Sequence, residues 1–292
     1  MNIDWHGTMA ETAELAISFV RAGKGRPVVF LHGWPEWKRT WLHNLPVLAD
    51  QFDCIAPDLR GFGATRSKVP RDANGTPPQV MAKDLRDLLD HLGLDRVAIV
   101  SHDVGSFVAQ QFAQAWPERV SKLFFFNCAY PGIGQRWGDW KHFPETWYQQ
   151  FHQKDFAARL VGSSPEAARI YFSHFLSHWS HDKSAFTPYL DEWVDNFLSN
   201  DNLQGGFDWY VGVSRFRRRM MQDGALATPK IAAPTYLLWG AHDPVLRFEF
   251  TDKLDLYFDD ATLEKAENAG HFVHFEIPRL ANERMASFLQ DA

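Results

Sequence analysis

The stretch S-H-D-V-G-S at residues 101–106 predicts how the chain is organised. The apolar run 96–100 before it is typical of a strand, and the run 107–113 after it has the pattern of a helix. A sharp strand–turn–helix joint holds one side chain up at the edge of a sheet, and small residues at 101 and 105 let the turn pack closely. The residue at the tip is Asp103, where such turns often place a serine. The stretch therefore indicates carboxylate chemistry at a sheet edge.

Strands alternate with helices on both sides of this turn. We predict strands at 13–20 (an edge strand), 27–31, 52–56, 96–100, 122–127, 235–239 and 261–266, and helices at 38–50, 77–93, 106–116 and 278–289. This alternation indicates βαβ units and a mostly parallel sheet flanked by helices, an α/β fold. In such sheets the functional groups collect at the carboxyl ends of the strands.

The alternation of strands and helices stops between residues 133 and 228. Helical periodicity and many aromatic residues occupy this segment, and we find no convincing strand in it. We therefore predict a core domain formed by residues 1–132 and 229–292, interrupted by a helical cap domain at 133–228.

Composition excludes several classes of partner. The chain has 292 residues, 45% hydrophobic and 23% charged, with a formal net charge of −6, which argues against a nucleic-acid surface. The run 215–219, rich in arginine, is read as a solvated helix face. Two cysteines do not make a disulfide framework, and neither a signal pattern nor a membrane-spanning apolar run is found. We predict a cytoplasmic protein without a membrane or nucleic-acid partner.

Four short segments carry the candidate chemistry, and each follows a predicted strand. They are H-G-W-P-E at 32–36, S-H-D-V-G at 101–105, G-A-H-D-P at 240–244 and G-H-F-V-H at 270–274. Asp103 can act as a nucleophile that forms a covalent ester. Hydrolysis of that ester needs a base, for which His271 is the best candidate, and an orienting acid, Asp243. The backbone amides of Trp34 and Val104 are placed to bind the oxyanion.

Three histidines of the insert raise the question of a metal. His174, His178 and His181 are spaced so that they could share one helix face, and three histidines can bind zinc. We favour an aromatic-rich cap face instead, because nothing nearby resembles a zinc motif. No metal is predicted.

Five motifs together resemble the α/β-hydrolase superfamily, in its branch with an aspartate nucleophile. They are HGWPE at 32–36, DLRGFG at 58–63, HDVG at 102–105, WGAHDP at 239–244 and GHFVHFEIP at 270–278. The resemblance covers nearly the whole chain. It implies cofactor-independent chemistry and places epoxide hydrolases, haloalkane dehalogenases and fluoroacetate dehalogenases among the related enzymes. In these motifs we read His32, His102, Asp58 and Arg60 as residues that orient or brace the loops.

The residues after the nucleophile separate these relatives. Haloalkane dehalogenases typically have Trp directly after it, and fluoroacetate dehalogenases typically have Arg there and again three residues later. Here these positions are Val104 and Phe107. Trp34 alone would be a poor halide site, and this segment offers no clamp for a haloacid carboxylate. The resemblance therefore favours the epoxide hydrolases.

Epoxide hydrolases of this family use cap tyrosines to protonate the epoxide oxygen. The segment G-F-D-W-Y at 206–210 resembles the one that carries the second tyrosine, which makes Tyr210 the candidate donor. Tyr148 matches the first tyrosine if a one-residue gap is allowed. An ungapped match selects Trp147 instead, and His152 is a further alternative, because some relatives use a histidine.

The resulting hypothesis is an epoxide hydrolase that converts an apolar or aryl epoxide to a vicinal diol through an Asp103 ester. Its partners would be a small epoxide and water, with Trp34, Trp147 and His152 near the substrate. A dehalogenase with the same nucleophile and a non-catalytic ligand receptor remain alternatives. A serine esterase is disfavoured by the missing serine. The sequence leaves the oligomeric state open, and a homodimer is one option.

Overall fold

One mixed sheet organises the computed structural model, which describes residues 3–223 and 228–290. In these residues the sheet has nine strands: β1 (Thr8–Glu11), β2 (Leu15–Ala22), β3 (Arg26–Leu31), β4 (Phe52–Pro57), β5 (Arg66–Ser67), β6 (Val97–His102), β7 (Val120–Phe126), β8 (Thr235–Gly240) and β9 (Ala261–Ala266). Their order is β1-β2-β4-β3-β6-β7-β8-β9, with β5 paired to β2. From β4 to β9 neighbouring strands run parallel, whereas β2 pairs antiparallel with its neighbours. The predicted α/β fold with a mostly parallel sheet is confirmed.

Ten α-helices are formed by the described ranges. They are α1 (Leu45–Leu48), α2 (Pro78–His91), α3 (Val104–Ala115), α4 (Phe143–Phe151), α5 (Ala157–Val161), α6 (Pro165–His178), α7 (Leu190–Leu198), α8 (Asn202–Asp223), α9 (Val273–Glu276) and α10 (Pro278–Gln290). Short 3-10 helices lie at Lys38–Trp41, Pro117–Arg119, Pro131–Gly138, Trp140–His142, Thr187–Tyr189 and Phe248–Leu256. None of the helices in 3–223 and 228–290 is long and apolar enough to cross a membrane.

Helices cover both faces of the sheet. Side chains alternate along a strand, so β3 sends Val29 and Leu31 to one face and Val28 and Phe30 to the other. The first pair packs in the cluster that includes apolar residues of α2 and α3, and the second in the cluster that includes those of α1 and α10. A strand buried on both faces is expected to read as a continuous apolar run, as the sequence of β3 does.

The segment between β7 and β8 is helical. It holds α4 to α8, and no strand forms in residues 127–223, which agrees with the predicted helical insert. Residues 224–227 of the predicted cap lie outside the described residues. The division into a core domain and a cap domain stays a prediction.

Two local expectations differ from the structure. The predicted edge strand 13–20 corresponds to β2, which lies inside the sheet, because β1 pairs along its outer side. The predicted helix 38–50 is two short pieces, Lys38–Trp41 and α1. Pro46 lies in the first turn of α1, where its missing N–H is tolerated, but it cannot continue a helix that begins earlier.

Candidate active site

Asp103 lies at the joint between β6, which ends at His102, and α3, which begins at Val104. Its φ of 45° with a ψ of −110° is a conformation that residues with a side chain rarely adopt, which is the strain of a sharp strand-to-helix turn. A Cβ atom at position 105 would lie 2.4 Å from the carbonyl oxygen of Leu31, so the turn needs glycine there. The Asp103 side chain is 18% exposed. The carboxylate therefore stands at the carboxyl edge of the sheet.

The loop after β3 reaches the same carboxylate. The backbone N–H of Trp34 donates to Asp103 Oδ1 at 3.1 Å. Val104 is buried as the first residue of α3, and the first amides of a helix have no partner within it. A Cβ atom at Gly33 would lie 2.7 Å from the Cβ of Asp103, so this close approach requires glycine. Both predicted oxyanion residues thus lie beside Asp103.

His271 and Asp243 come together behind Asp103. His271 Nδ1 lies 2.7 Å from Asp243 Oδ2, while Asp243 Oδ1 accepts the backbone N–H groups of Val245 and Leu246 at 2.8 and 2.9 Å. His271 Nε2 lies 3.9 Å from Asp103 Oδ2, too far for a hydrogen bond, and has no hydrogen-bond partner among the described residues. The ring is held on one side and its Nε2 faces the carboxylate on the other.

The charge of this pair follows from its surroundings. Burial alone would lower the pKa of His271, but the negative charge and hydrogen bond of Asp243, assisted by Asp103, raise it to about 9. Burial alone would raise the pKa of Asp243, but His271 and the hydrogen bonds to the carboxylate hold it below its usual value. At neutral pH the resting site therefore holds an imidazolium between two carboxylates.

Asn127, which the sequence analysis missed, supports this pair. Its Nδ2 donates to Asp243 Oδ2 at 2.6 Å, and its Oδ1 accepts the Gly240 N–H at 3.0 Å. Its φ is 41°, a conformation that Asn tolerates. The sequence feature that could have identified Asn127 is its position directly after the last phenylalanine of β7, at the carboxyl edge of the sheet.

We expect Asn127→Asp to lower kcat about 10- to 100-fold, because one lost buried hydrogen bond costs about 1–3 kcal/mol. The new carboxylate would also face Asp243, and the two negative charges would disturb the orientation of His271. Steady-state rates of the purified variant would measure the loss. Asn200→Asp is the matched control, because Asn200 also has a positive φ, 59°, but is exposed. Equal rates for both variants would contradict the role of Asn127.

Glu36 connects the loops of the site from below. Its Oε2 accepts the Gly33 N–H at 2.6 Å and lies 2.7 Å from His102 Nδ1, while its Oε1 lies 3.1 Å from His274 Nε2. His102 Nε2 in turn lies 3.0 Å from the carbonyl oxygen of His271. Glu36, His102 and His274 are residue types that can bind a metal ion, and their side chains meet here. Their facing atoms hydrogen-bond to one another, so we interpret the group as a buried hydrogen-bond network.

The three histidines of the insert do not converge. His174 and His178 stack on α6 with ring centroids 5.3 Å apart, and His178 pairs with Glu145 at 2.7 Å. His181 lies beyond the end of α6 and stacks on His242 instead. The structure therefore gives no support to a zinc site at these residues.

Tyr148 and Tyr210 are brought together above the Trp34 loop. Both are buried, and their rings meet edge-on with centroids 5.4 Å apart. The Trp34 indole stacks on Tyr148 at 5.5 Å and meets Tyr210 edge-on at 5.7 Å. Burial, assisted by the charge of Asp103, raises the pKa of both phenols, and for Tyr210 the neighbouring Tyr148 adds to the shift. Both hydroxyls remain protonated and able to donate.

The two alternatives for the first cap residue lie in different places. Trp147 is 45% exposed and lines a cavity on the cap. His152 is buried, with its ring 4.5 Å from that of Tyr210 and its Nε2 2.5 Å from the Tyr171 hydroxyl. Burial holds the pKa of His152 well below its usual value, so this ring is neutral. Of the candidates, Tyr148 is the one that stacks on the Trp34 indole and offers a protonated hydroxyl.

Arg217 corrects the reading of the run 215–219 as a solvated face. Its neighbours Arg215, Arg218 and Arg219 are exposed, but Arg217 is only 8% exposed. It lies seven residues after Tyr210, two helical turns along the same inner face of α8. The run of charges did not reveal that Arg217 is buried, because in a helix only about one residue per turn faces inward and the other arginines are exposed.

Gln149 links Arg217 to the tyrosines. Its Oε1 accepts from Arg217 Nη1 at 3.0 Å and from Trp137 Nε1 at 3.1 Å, and its Nε2 donates to the Tyr148 hydroxyl at 3.3 Å. Gln149 had no role in the sequence-based prediction. Its amide fixes the side from which Tyr148 accepts a hydrogen bond.

Comparison with known proteins adds independent findings. A family model described as alpha/beta hydrolase fold matches residues 26–278. The chain is 27% identical over 292 residues to epoxide hydrolase 1 of Caenorhabditis elegans, covering 98% of this chain and 70% of that protein. It is 30% identical over 280 residues to the soluble epoxide hydrolase of Corynebacterium sp. (strain C12), covering 92% of each. The solved structure of the epoxide hydrolase CorEH without ligand matches with a TM-score of 0.82, 29% identity and 99% coverage of both chains.

Proposed function

Because this chain belongs to the alpha/beta hydrolase fold family, we propose that it is an epoxide hydrolase that converts an apolar or aryl epoxide to a vicinal diol. The observation that carries the proposal is the pair of buried phenols, Tyr148 and Tyr210, which both pack on the indole of Trp34, the residue whose backbone amide holds the Asp103 carboxylate. Nucleophile and proton donors are the two groups that epoxide opening needs. The named relatives, all epoxide hydrolases, support the same conclusion.

In the first step Asp103 Oδ2 attacks an epoxide carbon. Oδ1 is held by the Trp34 amide and so becomes the carbonyl oxygen of the ester, which leaves Oδ2 as the nucleophilic atom. The carbon–oxygen bond of the ring breaks, and its electron pair moves to the epoxide oxygen. Tyr210, together with Tyr148, hydrogen-bonds this oxygen and supplies its proton.

In the second step water attacks the carbonyl carbon of the ester. His271 Nε2 takes a proton from the water, and Asp243 with Asn127 holds the ring in place. The negative charge that develops on Oδ1 is bound by the amides of Trp34 and Val104. Collapse of this intermediate breaks the ester bond, and the departing diol oxygen takes the remaining proton of the attacking water, which restores the Asp103 carboxylate. The proton held by His271 returns to the phenolate left by the first step. The reaction uses only the epoxide and water.

The test compares three substrates with the wild-type enzyme: styrene oxide, chloroacetate and 1-chlorobutane. Formation of phenylethanediol without halide release supports the proposal, and halide release without diol would replace it with a dehalogenase. A single turnover in H₂¹⁸O with excess enzyme tests the ester. The label should enter the peptide that contains Asp103, because the first diol receives its oxygen from the carboxylate. Label found only in the diol would mean direct attack by water.

Loss of either phenol should slow epoxide opening. We expect Tyr210→Phe and Tyr148→Phe each to lower kcat about 10- to 100-fold and the double variant about 10²- to 10⁴-fold, because proton donation contributes roughly that much. Single-turnover rates with styrene oxide would measure the effect. Tyr189→Phe, a change outside the site, is the control. A double variant with wild-type rates would exclude the tyrosines as donors.

The pH dependence of kcat should follow His271. Ester hydrolysis requires a neutral imidazole, and the resting pKa of His271 is about 9. Esterification removes the charge of Asp103, one cause of that raised pKa, so the value falls in the intermediate. We expect kcat, where hydrolysis limits it, to increase with pH through an apparent pKa below about 9. A kcat that decreases with rising pH across this range would contradict the assignment of His271 as base.

Three wider predictions join the proposal. Residues 133–228 would form a cap domain over a core of 1–132 and 229–292, with the substrate between them. The protein would act in the cytoplasm. A homodimer stays a prediction.

A further inference from the structure

Arg217 is a buried cation without an anionic partner in hydrogen-bond contact. Nη1 donates to Gln149, whereas Nε has no hydrogen-bond partner in the described part of the chain. Burial lowers the pKa of Arg217, and Tyr148, Tyr210 and Asp103 oppose this lowering. A guanidinium remains charged in proteins, and burying a charge is costly unless it is paired. The unpartnered Nε of this buried cation can therefore donate to an anionic group.

Three aromatic rings lie near the guanidinium. Its central carbon lies 5.0 Å from the Trp137 ring, 5.5 Å from the Tyr210 ring and 5.9 Å from the Phe107 ring. Such contacts offset part of the desolvation of the cation. They accept few of its five N–H groups, whose fork matches the two oxygens of a carboxylate.

A cavity of about 670 Å³ opens beside this arginine, within the usual range for small-molecule sites. Among the described residues its lining includes Arg217 and Tyr210 but not Asp103. Trp137, Phe143, Trp147 and Met221 give much of the remaining wall an apolar character. A molecule in this cavity can meet the cation and the proton donor at the same time.

We propose that Arg217 binds a carboxylate of the substrate, so that the preferred substrates are epoxides with an apolar or aryl body and a carboxylate close to the epoxide ring. This inference rests on the proposed function and specifies its substrate class. Asp103 would repel an anionic substrate, and the positive charge of Arg217 offsets that repulsion. A 2-haloacid also carries a carboxylate and could bind Arg217 in the same way. Halide release from chloroacetate, measured in the earlier test, would show that a haloacid is the substrate rather than an epoxy acid.

The first experiment compares 3-phenylglycidate with its neutral amide. For the wild-type enzyme we expect kcat/KM to favour the acid about 10- to 100-fold, mainly through KM, because charge-assisted hydrogen bonds contribute that much. Arg217→Gln should bring the ratio near one, and Arg217→Lys should keep part of it. Arg219→Gln removes the same charge from an exposed position of α8 and should keep the full ratio. A wild-type ratio near one, or equal losses for both substrates in Arg217→Gln, would overturn the inference; the second result would mean that Arg217 acts through Gln149 on Tyr148.

The second experiment does not depend on turnover. Calorimetric titration of the wild-type enzyme with phenylacetate and phenylacetamide should show tighter binding of the acid, and Arg217→Gln should abolish this difference. Thermal melting establishes that the variant is folded; if it is not, Arg217→Lys is titrated instead and should reduce the preference for the acid without abolishing it. If no epoxide is hydrolysed but phenylacetate binds through Arg217, the proposed function fails and the carboxylate site stands. If styrene oxide is hydrolysed and phenylacetate shows no preference, only the carboxylate site fails.

Discussion

His271→Gln is expected to stop the reaction after the first chemical step, with the opened epoxide attached to Asp103. Glutamine can still hydrogen-bond Asp243, but it cannot take a proton from water. We expect kcat to fall about 10⁴-fold, the order seen when a catalytic base is removed. Incubation with styrene oxide followed by intact-protein and peptide mass spectrometry would measure the ester. The mass should increase by one substrate molecule, on the peptide that contains Asp103.

His178→Gln is the control for this experiment, because His178 is a histidine on the surface of the cap, paired with Glu145. It should turn over normally and accumulate no adduct. An adduct on another peptide would remove Asp103 as nucleophile. An adduct formed from chloroacetate while styrene oxide remains inert would mean that the chain is a dehalogenase, and Tyr210 would lose its assigned role.

Asp103→Asn should abolish both the ester and the diol, with a loss in kcat of about 10⁴-fold or more. Asparagine has nearly the same shape and also tolerates the φ of 45°, so the fold should be retained. The amide lacks the charge and nucleophilicity of the carboxylate. Diol formation from styrene oxide and the melting temperature, measured on the same preparation, would separate a chemical effect from a structural one.

Asp201→Asn provides a matched control, since Asp201 has a φ of 60° and is exposed. Its activity should equal that of the wild type. Residual turnover above about 1% in Asp103→Asn, with the asparagine verified by mass, would contradict a nucleophilic role. A protein whose ligand binding persists in this variant, and whose wild type hydrolyses nothing, would be a receptor on this fold.

The residues at the ends of parallel strands could be predicted because the sheet itself brings them together. Asp103 and Asp243 follow β6 and β8, and His271 follows β9, so each position could be derived from local patterns. The glycines of the turns and the order of the segments along the chain also indicated these positions. The predicted triad residues accordingly meet at one edge of the sheet.

The residues that were missed depend on contacts between distant segments. Asn127 acts on Asp243 across 116 positions, and Arg217 reaches Gln149 across 68. Neither contact leaves a periodic trace in the sequence. The short strand β1 was missed for another reason: three of its four residues are exposed, so it lacks an apolar signal.

Glu36 has a consequence for any attempt to move this chemistry to another scaffold. One carboxylate serves the loop after β3, the turn at His102 and the loop of His274, so these three pieces of chain share a single buried charge. A graft of the nucleophile turn alone would leave His102 without its acceptor in the new host. The transferable part is the whole set of loops with Glu36 at its centre, and a designer would have to exchange it as one module.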